Sequence, residues 1–313
     1  MAPKHKANAG TNPVVAGVAI THSEKVLWPA TKETDAVTKL DLARYYEAAA
    51  RRMLPHVAGR PISIVRAPDG IEGERFFQRH KLMGAAAPML AIRVRGEAQP
   101  YLGIDDEKSL VALGQAGVLE IHPWGSKPGA PDVPERIILD LDPAPDVAFE
   151  RVIEGAREVR DRLEALGLTP FVKSTGGKGL HVVVAVKGRP KKSLTWPEAK
   201  SFARAIAAQM ANDNPNGYTT TVAKKARAGK IFVDYLRNDR TSTGVAPWSP
   251  RARPGASIAV PLKWQQVRRG LDPNTFTIAT AAPLLKRADP WEDLAASAHP
   301  LEAAMRKLAV SLD

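Results

Sequence analysis

Asp140 and Asp142 stand one residue apart in Arg136-Ile137-Ile138-Leu139-Asp140-Leu141-Asp142-Pro143, a run that alternates with a period of two. That period reads as a buried β-strand closed by a proline, and alternation along a strand puts both carboxylates on one face. As neighbouring anions they repel, so the pair calls for divalent cations, and hard oxygen ligands suit Mg²⁺ or Mn²⁺. An Asp-x-Asp pair alone also occurs in turns and on solvated strand edges, so its meaning depends on what else the chain carries.

Three further groups bear on it. In Ser174-Thr175-Gly176-Gly177-Lys178-Gly179-Leu180-His181 the glycines let backbone N–H groups converge on an anion. Ser174 adds a hydroxyl, and Lys178 and His181 bring positive charge or donors to a phosphate. The spacing is not that of a Walker A loop, and a plain glycine hairpin with a core-facing histidine shares the pattern. Asp234, in Ile231-Phe232-Val233-Asp234, has the opposite parity to Ile231 and Val233. Brought beside the first pair, it would complete a metal site; otherwise it is a strand-edge acid. The run Lys224-Lys225-Ala226-Arg227-Ala228-Gly229-Lys230, with Arg251 and Arg253 beyond, suits a triphosphate or a nucleic-acid backbone, or else forms a solvated loop.

The elements that must position these groups follow from periodicity. Thr38-Lys39-Leu40-Asp41 caps a helix over 42–54, and 61–66 and 92–95 alternate as half-exposed strands. A short helix over 109–117, a strand over 118–122 and a Gly- and Pro-rich loop over 125–134 precede the aspartate strand. Phe149, Val152, Ala156, Val159, Leu163 and Leu166 mark an amphipathic helix with Gly167 as its C-terminal cap. Strands over 171–175 and 180–186 flank the glycine turn, Thr195-Trp196-Pro197-Glu198 is a capping box before a helix over 199–210, and 230–236 is the next strand. Strand, helix, hairpin, helix, strand indicates an α/β (α+β) sheet with mixed pairing, nearer a ferredoxin-like arrangement than a doubly wound one.

Composition narrows the partners. Lysine and arginine outnumber aspartate and glutamate 45 to 33 among 313 residues, a formal charge of +12 that favours a polyanion such as nucleic acid. No cysteine is present, which excludes disulfides, thiolate nucleophiles and cysteine-ligated metal. Residues 1–19 lack the apolar core of a secretory signal and no run of eighteen apolar residues occurs, so a flexible tail and a cytoplasmic, non-membrane protein are expected.

Taken in order, Ile20-Thr21-His22-Ser23-Glu24-Lys25-Val26-Leu27-Trp28-Pro29, the Phe76-Phe77 pair, Glu120-Ile121-His122-Pro123-Trp124, the Asp-x-Asp pair, the glycine loop and Arg227-Ala228-Gly229-Lys230-Ile231-Phe232-Val233-Asp234 resemble the polymerase domain of bacterial DNA ligase D. That family belongs to the archaeo-eukaryotic primase superfamily and acts in non-homologous end joining. The resemblance runs from about Ile20 to the final helices and departs at no motif position. It implies one primase-polymerase domain over 20–313. Within it, about 20–134 would be an N-terminal α/β part with DNA contacts, about 135–265 an RRM-like catalytic part, and about 266–313 a C-terminal helical part.

The resemblance also implies roles. Asp140, Asp142 and Asp234 would hold two metal ions, manganese by preference, for nucleotidyl transfer to a primer 3′-hydroxyl. His122, Ser174, Gly177, Lys178, His181, Arg227 and Arg251 would bind the nucleoside triphosphate, with ribonucleotides preferred. Lys25 and Lys39 would grip a 5′-phosphate at a gap or break, where a lysine ammonium is a good point-charge partner. Phe76 and Phe77 would pack against template bases, with at least one expected to be buried. DNA with 5′-phosphorylated gaps or broken ends, a Ku-type protein and a DNA ligase would be partners, in the bacterial cytoplasm at the nucleoid. The activity implied is template-dependent, primer-extending synthesis during double-strand break repair. A stand-alone primase and a catalytically idle DNA-end-binding module are the alternatives.

Overall fold

The computed structural model describes residues 11–308. Its C-terminal half is built on a sheet whose centre is the aspartate strand, Arg136–Pro143. Leu180–Lys187 pairs antiparallel with it on one side and Ile231–Asp234 on the other, and Pro170–Ser174 pairs antiparallel with Leu180–Lys187. The chain order strand, helix, strand, strand, helix, strand thus gives the spatial order fourth, first, third, second, which is the ferredoxin-like arrangement. The expected mixed pairing comes from two short flanking strands. The four central strands are wholly antiparallel, and parallel pairing comes from Tyr218–Thr219 beside Ile231–Asp234 and from His299–Pro300 beside Leu180–Lys187.

Helix packing follows from the period-two split. Ile137, Leu139 and Leu141 point to one face with Leu180, Val182 and Val184, and are buried with Val152, Ala156, Val159 and Leu163 of the amphipathic helix Phe149–Ala165. Gly167 follows that helix at φ +83°, a left-handed conformation that glycine adopts without a Cβ penalty. The helix Trp196–Asp213 begins at the Thr195 capping box. With one face of the aspartate strand committed to this core, Asp140 and Asp142 are left on the other.

The N-terminal half is a second sheet, in which Ile62–Arg66 pairs antiparallel with Phe76–Gln78 and with Val118–Pro123. The helix Lys39–Val57 opens at Thr38, whose hydroxyl accepts from Asp41 N while the Asp41 carboxylate accepts from Thr38 N.

Several expectations are corrected. Residues 1–10 lie outside those described, but within the expected tail Val14–Val15 and Val18–Ala19 form a hairpin. Val15 and Val18 are buried there, because a valine alternation around Ala16-Gly17 outweighs the polar composition nearby. The loop over 125–134 contains the pair Ser126–Lys127 and Ala130–Pro134. The strand expected over 92–95 runs instead from Leu90 to Ile92. Beyond residue 266 the helical content is limited to short pieces such as Ala281–Leu285 and Leu301–Lys307. No described helix is long and apolar enough to cross a membrane.

Candidate active site

Strand register assembles the acids. Asp140 lies directly opposite Asp234, and Asp142 opposite Phe232, so the three carboxylates occupy adjacent positions on the face left free of core. On its other side Asp140 faces His181, which in turn faces Lys173, so that Asp234, Asp140, His181 and Lys173 form one row across four strands. The carboxylates of Asp140 and Asp142, with Lys178, His181, His122 and Arg251, line a cavity of about 420 Å³. A neighbouring cavity of about 1030 Å³ shares Lys178 and Arg253 with it and is lined also by Gly177.

Arginines supply the counter-charge. Arg237 spans two of the acids, 3.4 Å from Asp140 Oδ2 through Nε and 3.1 Å from Asp234 Oδ2. Arg227 donates to Asp142 Oδ2 at 3.2 Å and lies 3.8 Å over the Phe232 ring. Burial pushes the Asp142 carboxyl up and Asp140 adds to it, against the opposing pull of Arg227. Asp234 is also raised, by burial first, against the charge of Arg237. Asp140 goes the other way: burial is outweighed by His181, Arg237 and Lys173, which hold it well below the usual carboxylate range. Burial and the Lys173 charge lower His181 to about 4, and its Nε2 lies 3.3 Å from Asp140 Oδ2.

Among the described residues no group of three or more His, Cys, Asp or Glu side chains is gathered closely enough to hold a metal ion as it stands. Arg237 and Arg227 pair with carboxylate oxygens that a cation would use. The donor set still fits a hard divalent ion. It is all oxygen, it lies on one face, and two of its three acids are raised toward protonation by burial and mutual repulsion, which a bound cation would relieve.

The glycine loop is shaped by close approach. Gly176 has φ +65°, and a Cβ there would come within 2.7 Å of Arg251 Cγ and 3.0 Å of the Ile258 carbonyl carbon. Ser174 does not reach the cavity: its side chain is fully buried, and its hydroxyl accepts from Val260 N at 2.9 Å. Thr175 lines the cavity in its place.

Glu120, to which the sequence motifs assign no role, organises this side of the cavity. It accepts from Ala252 N at 2.8 Å, lies 2.8 Å from His122 Nε2 and 3.2 Å from Arg251 Nε. Burial pushes its carboxyl up, yet the hydrogen bond to His122 and the charge of Arg251 bring it down to about 2. The signal was present in Glu120-Ile121-His122, whose alternation puts acid and imidazole on one face. Arg237 carried no such signal, since only the fold returns it to the acids.

Away from the cavity, Lys25 is half-exposed and paired with Asp69, and Lys39 is buried. Lys39 is lowered by burial first and then by the charges of Lys25 and Arg66, so the three cations repel one another. Phe76 lies opposite Arg66 in the neighbouring strand. Both phenylalanines are exposed, Phe76 by 37% and Phe77 by 57%, which corrects the expectation that one would be buried: this three-residue edge strand has no layer covering it. Arg79 lies 5.4 Å over the Phe77 ring.

Comparison with known proteins gives a consistent picture. The profile of the family described as LigD, primase-polymerase domain, matches residues 38–291. The multifunctional non-homologous end joining protein LigD of Pseudomonas aeruginosa is 35% identical over 308 residues, covering 96% of this chain and 36% of that protein. The bifunctional LigD of Bacillus subtilis is 27% identical over 278 residues, covering 88% and 44%. The chain therefore spans somewhat more than a third of the length of these relatives. A solved structure, the polymerase domain from Mycobacterium tuberculosis ligase D in complex with DNA, superposes with a TM-score of 0.78 at 31% identity, covering 89% of this chain and 98% of that one. By the extent of the profile match and the agreement of the whole fold, this chain belongs to the LigD primase-polymerase domain family.

Proposed function

We propose that the chain is a template-dependent, primer-extending polymerase that fills or extends DNA ends in double-strand break repair by non-homologous end joining, with ribonucleotides preferred. The observation that carries this reading is the register that sets Asp234 opposite Asp140, with Asp142 two residues along on the same face of a cation-lined cavity. Asp140, Asp142 and Asp234 would hold two divalent ions, Mn²⁺ by preference or Mg²⁺, which when bound activate the primer hydroxyl and neutralise charge on the phosphates.

The chain's own residues bind and orient. Lys178, Arg251 and His122 face the triphosphate, with Glu120 fixing the latter two, and Arg227 leaves Asp142 to join them. Lys25 and Lys39, with Arg66, take the 5′-phosphate of the downstream strand, and Phe76 and Phe77 offer exposed ring faces to template bases. A Ku-type protein and a DNA ligase, covalently joined or separate, are the partners that complete repair.

The test is extension of a labelled primer on 5′-phosphorylated gapped DNA, with Mn²⁺ or Mg²⁺ and with ribonucleotide or deoxyribonucleotide triphosphates. Asp140→Ala/Asp142→Ala should abolish addition while DNA binding survives. Undiminished addition by that variant would refute the assignment of the acids.

A further inference from the structure

A third cavity, of about 770 Å³, opens at the far end of the sheet face that carries the acids. Arg136 lines it, four residues and about 13 Å along the strand from Asp140. Between them Ile138 and Val183 pack with Trp291 and Leu294 into a separate apolar cluster, which walls this cavity from the catalytic one. The size is that of a small-molecule site.

Its lining is mainly cationic, with seven lysines and arginines against two carboxylates, Glu135 and Glu292. Arg60 and Arg136 are both buried, and both pair with the single carboxylate of Glu135. Arg60 is otherwise saturated, donating to Ser126 O, Pro55 O and Ala58 O. Arg136 is not: only 8% exposed, it keeps a buried Nε with no partner. Burial and the Arg60 charge lower it to about 10. His56, 5% exposed, contributes a second unpartnered buried nitrogen, Nδ1, and lies edge-on to Trp291 at 5.6 Å. At the mouth Lys187 and Lys191 add positive charge, while Pro55, Leu294 and Ala185 supply apolar wall. A guanidinium on the lining matches a phosphate oxygen, and an apolar wall matches a flat body.

We infer that this cavity binds a small phosphorylated molecule of nucleotide size, its phosphate on Arg136 and the mouth lysines and its body against the Leu294 wall. The site stands apart from the catalytic acids, and its test is independent of them.

ADP is titrated calorimetrically into the whole chain in EDTA, in a Lys178→Ala background that removes the loop cation of the catalytic cavity. One ADP should bind. Lys187→Glu/Lys191→Glu, at the mouth, should weaken it at least tenfold, and Ala295→Trp, at an exposed lining position, should abolish it. No binding, or binding indifferent to both changes, overturns the proposal. Inorganic pyrophosphate held as tightly as ADP would overturn the part given to the apolar wall. Displacement of ADP by a 5′-phosphorylated oligonucleotide at lower concentration would overturn the small-molecule assignment.

Discussion

Glu120→Gln keeps the shape of the side chain and an oxygen for Ala252 N–H, and removes the charge that Arg251 and His122 share. The fall of the carboxyl from its ordinary 4.5 to about 2 corresponds to about 3 kcal/mol of stability at pH 7. A depressed folded-state pKa contributes fully above the unfolded value and is lost as pH falls through the folded one. The difference between wild type and variant should therefore be about 3 kcal/mol at pH 7 and about half of that at pH 3. Urea unfolding at the two pH values measures it. An equal difference at both would show that the loss comes from packing or from the neutral hydrogen bond, and the electrostatic account would fall.

Other consequences are as accessible. Lys25→Ala/Lys39→Ala should remove the preference for 5′-phosphorylated over unphosphorylated gapped DNA and flatten the salt dependence of binding; a retained preference in a filter-binding assay would refute the cation cluster as phosphate site. Phe77→Ala, at an exposed position, should leave the unfolding midpoint unchanged and weaken template binding by about 1–3 kcal/mol, read by fluorescence anisotropy. Lys173 is lowered to about 7 by burial and by Arg251. Between pH 7 and its ordinary 10.5 the unfolded chain holds the extra proton, so this lysine makes wild type more stable as pH rises. Lys173→Met should remove that rise, and an unchanged slope in thermal unfolding between pH 7 and 9 would count against it.

The central sheet was legible because its pattern is local. Alternation in 136–143, the apolar run 180–186 beside its glycine turn, the Thr195 and Thr38 caps and the 149–166 stripe each depend on neighbours in sequence. Parity put Asp140 with Asp142, but it gave no partner for Asp234, because antiparallel register is set by pairing across some ninety residues of chain. Arg237 was missed for the same reason. Ser174 was read from its chemistry, whereas the Val260 N–H claims its hydroxyl. Average burial misleads for the phenylalanines, because what exposes them is their place on a sheet edge, which only topology defines.

The strand Ile62–Arg66 lies between His122 and Phe76, pairing Ser63 with the first and Arg66 with the second. Three residues of strand amount to about 10 Å, fixed by ladder hydrogen bonds rather than by a loop. On the proposed function, the insertion site beside Ser63 and the 5′-phosphate site to which Arg66 belongs are thus two marks on one ruler. Such an enzyme would gauge a gap by fit, favouring those whose length matches the ruler and losing speed in steps as the gap outgrows it.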